Sequence, residues 1–539
     1  MRRFGLPVLG TGIGLVLVLG GCTAGCDFGS EKDPETPSTK TATAAPPPKP
    51  AFDGWPQPAA VIVLSGQQHG YLEPCGCSET QSGGLARRAD LFRQLAEKGW
   101  PAVAFDLGGT VRRSSRQQSR IKFETNLAAL RDMPYAGLAL GPEEIELDPD
   151  VLVTSGVADS KFPECPLPFL GANVTFVGGL EELGPAAARV VRVGEVQVGV
   201  AAALDPAAKS AIAPEGTNLA EKFTISDPAP AVAAAVEQLE SDGAEVTVLL
   251  AHMSRDKAKQ SLAEQLPRFD VVLCTSGEEP PPPERVGGTL LVSVGHKGKH
   301  VGAIGVYPGD EKDRVRFELR FELVDLDSHR FQNAPKMHEH MRNYQDRLKA
   351  ERIVVAEPAI AHSSGAQFVG AQQCGECHTK AYAKWKTTKH AQAFESLSRG
   401  REGQENDWIP RTFDAECISC HVTGWEPQES LRYHTGFVNE EFLDSAAEKA
   451  HSRLLQGQQC ENCHGPGGRH VELEGLWRTD RARFQERAEM ERLVAARGEL
   501  KLNRNTAART TCTKCHDLDN SPNFEFDKYW DEVQHPWKD

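Results

Sequence analysis

Four short motifs in the last third of the chain combine residue types whose spacing does chemistry. They are Cys374-Gly-Glu-Cys377-His378, Cys417-Ile-Ser-Cys420-His421, Cys460-Glu-Asn-Cys463-His464 and Cys512-Thr-Lys-Cys515-His516. Two thiols three residues apart reach the two vinyl groups of one porphyrin as thioethers, and the next imidazole then lies under the iron as proximal ligand. Zinc is the competing reading, since four CxxC pairs could build two zinc ribbons with four thiolates each. Histidine is 17 of 539 residues, so a histidine after all four pairs by chance is on the order of one in a million. Neither a zinc ribbon nor a disulfide needs that histidine, whereas covalent haem does. The motifs therefore predict four covalently attached c-type haems, with His378, His421, His464 and His516 as proximal iron ligands.

A haem that carries electrons needs a second strong ligand. From residue 362 onward, His362, His390, His434, His451, His470 and His535 remain as spare imidazoles. Any one of them alone would be read as an ordinary surface or core histidine.

The elements that must position these groups divide the chain. At 539 residues it exceeds one compact core. The formal charge of −15 argues against nucleic acid as a partner. Arg2 and Arg3 precede an apolar stretch from Leu6 to Leu19 that is short for a membrane span. It ends in Leu19-Gly20-Gly21-Cys22, which looks like a lipobox, with Cys26 as a weaker alternative. The resemblance implies a lipoprotein signal peptide over 1–21 and a lipid anchor at Cys22 on the periplasmic side of the envelope. Thiols there meet an oxidising compartment. Residues 22–57, rich in Pro and Thr, read as an extended tether.

Buried-strand runs at Ala60 to Leu64, Ala102 to Phe105, Val246 to Leu250 and Val271 to Leu273 alternate with helical stretches at 86–98 and 231–240. This pattern predicts an α/β layered domain over 58–326. A polar helical connector follows over 327–365, with Glu339, Arg342, Asp346 and Lys349 on exposed spacing. From 366 to 539 the strand signal vanishes and a mainly α multihaem cytochrome c domain is expected. The motifs recur too irregularly for a solenoid.

Two family resemblances follow from particular residues. Phe368-Val369-Gly370 through His378, Tyr382, Trp385 and His390-Ala391-Gln392-Ala393-Phe394 resemble the tetrahaem cytochrome c-554 family. So do His421-Val422-Thr423-Gly424, His464-Gly465-Pro466-Gly467 with His470, and the tail Phe524, Tyr529-Trp530 and His535. The resemblance implies His390, His470 and His535 as distal ligands and one haem without a strong sixth ligand, for which the His421 haem is the candidate. His434 could fill that position instead.

The α/β region resembles the 5′-nucleotidase branch of the calcineurin-like metallophosphoesterases. His69-Gly70-Tyr71-Leu72, Gly83-Gly84-Leu85-Ala86-Arg87-Arg88, Gly171-Ala172-Asn173-Val174 and Leu250-Ala251-His252 carry the likeness. Two metals in that family need carboxylates and imidazoles that this chain has largely replaced. The first Asp is Gln67, the bridging Asp is Gly109, the Asn-His pair is Pro142-Glu143, and the last motif is Thr275-Ser276-Gly277-Glu278. Only His69 and His252 remain, so phosphoesterase activity is expected to be absent. Beside them, Cys75 and Cys77 stay open to three readings: a redox pair, a soft-metal site with His69 and His252, or structural disulfides with Cys165 and Cys274.

The sequence thus predicts an electron-transfer lipoprotein served by a redox partner protein or a quinol-linked donor. A multihaem oxidoreductase acting on a small nitrogen or sulfur species at a five-coordinate haem is one alternative. A 5′-nucleotidase-like hydrolase with an altered metal site is the other.

Overall fold

The computed structural model describes residues 49–74, 81–112, 116–157, 167–212, 218–309, 316–400, 408–517, 520–521 and 523–535. The signal segment, Cys22, Cys26, most of the tether, Cys75, Cys77 and Cys165 lie outside them. No described helix is long and apolar enough to cross a membrane.

Two six-stranded sheets form the N-terminal region. In the first, the parallel strands Ala60–Ser65, Ala102–Asp106, Tyr135–Ala139 and Phe169–Leu170 are flanked by the antiparallel pair His300–Pro308 and Phe317–Asp325. In the second, Val196–Leu204, Val246–Ser254, Val271–Thr275 and Thr289–Val292 run parallel, and Ala188–Val193 and Glu284–Val286 close its edges antiparallel. The predicted apolar runs occupy central strands. The edge hairpins carry polar alternation, such as Phe317-Glu318-Leu319-Arg320-Phe321-Glu322, and give no such run.

Alternation along each strand sorts side chains between layers. Ile62, Leu64, Phe105 and Ile304 meet Val198, Val200, Val248, Leu250 and Leu273 in the core between the sheets. Val61, Val63 and Ala104 face the other way, onto Leu91, Leu95, Ile121 and Leu127 of the helices Leu85–Glu97 and Arg116–Arg131. On the second sheet, Ala201, Leu249 and Val272 pack under Val232, Val236 and Leu239 of the helix Pro228–Ser241. The result is a four-layer α/β/β/α sandwich.

Two boundaries differ from the sequence reading. Residues 51–56, read as tether, pack on this domain: Phe52 is buried against Trp55 and Trp100. The connector helix, Pro335–Ala350, is a layer of the sandwich, since Met337, Met341, Tyr344 and Leu348 join the same core at i, i+4, i+7 and i+11 spacing. Glu339, Arg342, Asp346 and Lys349 lie off that buried stripe, as their spacing predicts.

From 371 onward short helices dominate, with one two-stranded ladder, Trp425–Glu426 with Leu431–Arg432. Its apolar clusters are small: one around Phe368, Ile418, Val422, Trp425 and Phe437, another around Leu473, Phe484 and Leu493. Residues 48–539 form one compact unit. The segment 408–421 docks on the sandwich. Ile409 joins its core, Arg411 pairs with Glu73 at 2.6 Å, and Lys122 pairs with Glu416. Asp414 accepts from Gln118 at 2.8 Å and from Gln345 at 3.0 Å.

Candidate haem and rim sites

Each CxxCH motif forms a single helical turn. The His378 amide donates to the Cys374 carbonyl at 2.9 Å, His516 to Cys512 at 2.8 Å, and His421 to Ile418 at 2.9 Å, while Cys460–His464 is itself helical. One turn puts both thiols and the following imidazole on one side, as the attachment chemistry requires.

All eight motif cysteines and all four motif histidines line one cavity of about 2770 Å³. A single-ligand cleft occupies about 300–1,000 Å³, so this volume suits several large cofactors side by side. His390, His470 and His535 line the same cavity.

Their rings face proximal rings in pairs. His378 and His470 have centroids 6.3 Å apart, His390 and His516 6.0 Å, and His464 and His535 5.8 Å. Two imidazole nitrogens bound trans to one metal at about 2 Å each would put ring centroids about 6 Å apart. The residues present therefore fit bis-imidazole haem iron at three positions. His421 has no ring partner among the described residues. Neither His434 nor His451 lines the cavity; His362 does, held by Ser364 Oγ at 2.9 Å.

The proximal rings are oriented from behind. Nδ1 of His421 lies 2.7 Å from the Ala393 carbonyl, that of His464 2.7 Å from the Leu500 carbonyl, and that of His516 2.9 Å from Ser521 Oγ. Donation by Nδ1–H fixes the tautomer and leaves Nε2 for a metal. Burial holds His390, His421, His464 and His470 below the usual imidazole range, and His516 down to about 4. A neutral imidazole is the form that ligates.

The motifs are also adjacent to one another. Cys374 lies within electrostatic reach of Cys460, Cys463 within reach of Cys512, and His390 within reach of His421.

On the sandwich, a rim of titratable side chains lies at the carboxyl ends of the parallel strands, where α/β sheets place ligands. His69 Nε2 and His252 Nε2 each stand 4.0 Å from opposite oxygens of Glu143. Burial and the adjacent Glu144 raise Glu143 to about 7, while burial and the neighbouring His296 and Lys297 lower His69 to about 3. Among the described residues no three His, Cys, Asp or Glu side chains gather as a metal site. Gln67 instead stitches the rim, exchanging hydrogen bonds of 3.1 and 2.9 Å with the Ser276 backbone. Gly109 has φ +71°, and a Cβ there would sit 3.1 Å from Gln67 Cα, so the backbone at this rim position favours glycine. Cys274 is a buried free thiol pushed up to about 12 by desolvation, which removes it from the disulfide reading.

Sequence reasoning missed three residues here. The ring of His296 lies 5.3 Å from that of His69, and the loop Gly295-His296 after the apolar run 289–294 was the available signal. Glu144, fully buried, accepts from Gly109 N, Thr110 N and Gly141 N at 2.7–3.0 Å and shapes the rim. Lys122 reaches the cavity from mid-helix, which no local pattern marks.

Residues 373–465, which span three of the four motifs, match the family model described as cytochrome c554 and c-prime. Cytochrome c-554 of Nitrosomonas europaea is 31% identical over 111 residues, 20% of this chain and 41% of that protein. The chain thus spans about two-fifths of the length of that curated relative. Among solved structures, a 5′-nucleotidase precursor from Thermus thermophilus is similar at TM-score 0.45 and 21% identity, over 56% of this chain and 60% of that one. A calcineurin-like phosphoesterase from Bacillus subtilis is similar at TM-score 0.44 and 15% identity, over 54% and 98%. The C-terminal region thus resembles the cytochrome c-554 family, and in this chain it follows an α/β domain.

Proposed function

We propose that this protein is an exported tetrahaem lipoprotein that transfers electrons between partners in the periplasm. The observation that carries the reading is the set of three opposed imidazole pairs inside one cavity lined by all eight motif cysteines. Two strong nitrogen ligands hold an iron in one geometry in both oxidation states, which suits electron transfer. The adjacency of the motifs supports a relay among the centres. The signal segment and Cys22 support anchoring to the membrane, and the tether would let the chain visit a redox partner protein or a quinol-linked donor. Phosphate-ester hydrolysis is not proposed for the α/β domain, because Gln67 and Gly109 stand where the family it resembles needs metal-binding carboxylates.

A haem count on the purified protein, with a stepwise redox titration, tests this reading. Four haems that reduce reversibly are expected. Zinc bound in place of haem, or haems inert to reductant, would overturn it.

One observation favours a second role. His421 lacks the ring partner that the other three motif histidines have among the described residues, so its haem would keep an open position. A small nitrogen or sulfur species could bind or react there. An electron paramagnetic resonance spectrum holding low-spin signals alone, unaltered by nitric oxide, would remove that role and leave the relay.

A further inference from the structure

The one motif histidine without a ring partner among the described residues belongs to the segment that docks on the α/β domain. The cavity around Cys417 and Cys420 is walled on that side by His69, Arg112, Lys122, Met341 and Tyr344. Two of these side chains are buried and have donor capacity to spare. Lys122 has three N–H donors and, among the described residues, Glu416 as its one ion-pair partner. Tyr344 is 1% exposed; its oxygen accepts from Gln118 at 2.9 Å, and its own proton meets no acceptor among the described residues. Both lie within electrostatic reach of Cys417. The nearby carboxylates are already engaged: Glu73 by Arg411, Asp414 by Gln118 and Gln345, Glu416 by Lys122.

We propose that the α/β domain completes the ligand pocket of the His421 haem, and that this pocket is built for a small anion held by Lys122 and Tyr344. The proposal rests on the open-iron reading above. Its logic is one of unspent donors. A buried ammonium and a buried phenol, beside a ferric haem that carries positive charge, favour a ligand that brings lone pairs and negative charge. Gly70 leaves the ammonium its place, because a Cβ there would stand 3.2 Å from Lys122 Nζ. Arg112, exposed on the same wall, lies where it would draw anions inward. The phosphoesterase-like domain would then serve the haem as a pocket wall, with no metal of its own.

The test uses the full haem-loaded protein and two probes that differ in charge. Azide binding is titrated on the ferric form and carbon monoxide binding on the ferrous form, each followed optically. In Lys122→Met and Tyr344→Phe the azide Kd is expected to rise about tenfold or more, while carbon monoxide affinity stays within about twofold. Lys122→Arg should keep most of the azide affinity. If Lys122→Met fails to fold, Tyr344→Phe decides alone. Azide affinity unchanged in the variants, with carbon monoxide still bound, would overturn the anion pocket and leave the open iron standing. A wild-type protein that binds neither probe would overturn the open iron, and the pocket with it.

Discussion

Replacing His535 by alanine isolates one imidazole pair, and the outcome can be counted. His535 faces His464 at 5.8 Å, and His464 is held independently by the Leu500 carbonyl at 2.7 Å from its Nδ1. The substitution should therefore remove the distal ligand and leave the proximal one seated. Carbon monoxide binds ferrous haem only where a coordination position is open. If the His421 haem is the one open site, the wild-type protein binds one equivalent of carbon monoxide after full reduction. His535→Ala should bind two, and one further haem should move from low to high spin in the ferric spectrum. His434→Ala is the control: that side chain does not line the cavity, so one equivalent should remain. Titration of the reduced protein against a calibrated haem concentration gives both numbers. A stoichiometry of one in His535→Ala would refute the pairing, as would a second equivalent in His434→Ala.

Asp414→Ala takes an acceptor from each of the buried amides of Gln118 and Gln345 and strips the N-cap from Ala415–Ile418; a loss of about 3–5 kcal/mol in urea unfolding is expected, partly restored in Asp414→Asn. His69 titrates near 3 in the folded protein against 6.5 ordinarily, so between those values the unfolded chain binds a proton that the native one refuses, and stability falls as pH drops through the window. Glu143, raised to about 7, acts oppositely between 4.5 and 7. In His69→Gln the unfolding free energy should lose less between pH 7 and 4.5 than in the wild type, by about 2.5 kcal/mol at most; an unchanged difference would contradict the assignment. Gly109→Asp puts a carboxylate at a left-handed backbone position where its Cβ would stand 3.1 Å from Gln67 Cα; metal analysis and nucleotide turnover should both stay at background.

How much of this was legible in advance depended on the range of the cause. The CxxCH spacing is local chemistry, and each motif folds as the single turn that spacing implies. The parallel strands were visible because central strands buried on both faces need continuous apolar runs. The edge strands were hidden by their polar alternation. His390, His470 and His535 could be named from the family resemblance. Which proximal ring each one faces could not, because that depends on packing between distant segments. The dock formed by Ile409, Arg411, Asp414 and Glu416 was invisible for the same reason, since nothing in that segment signals a partner some 300 residues earlier.

The imidazole pairs have a consequence beyond redox chemistry. Each joins positions roughly 70 to 130 residues apart in the chain, in a region whose apolar clusters are small. An iron held by such a pair would act as a cross-link. By the chain-entropy argument used for disulfides, closing a ring of that size takes about 4–5 kcal/mol from the unfolded state. Three overlapping rings of this kind would make cofactor supply a condition of folding. The C-terminal third is then best thought of as a scaffold stapled by metal, and starving the cell of haem should deplete the protein itself as well as its colour.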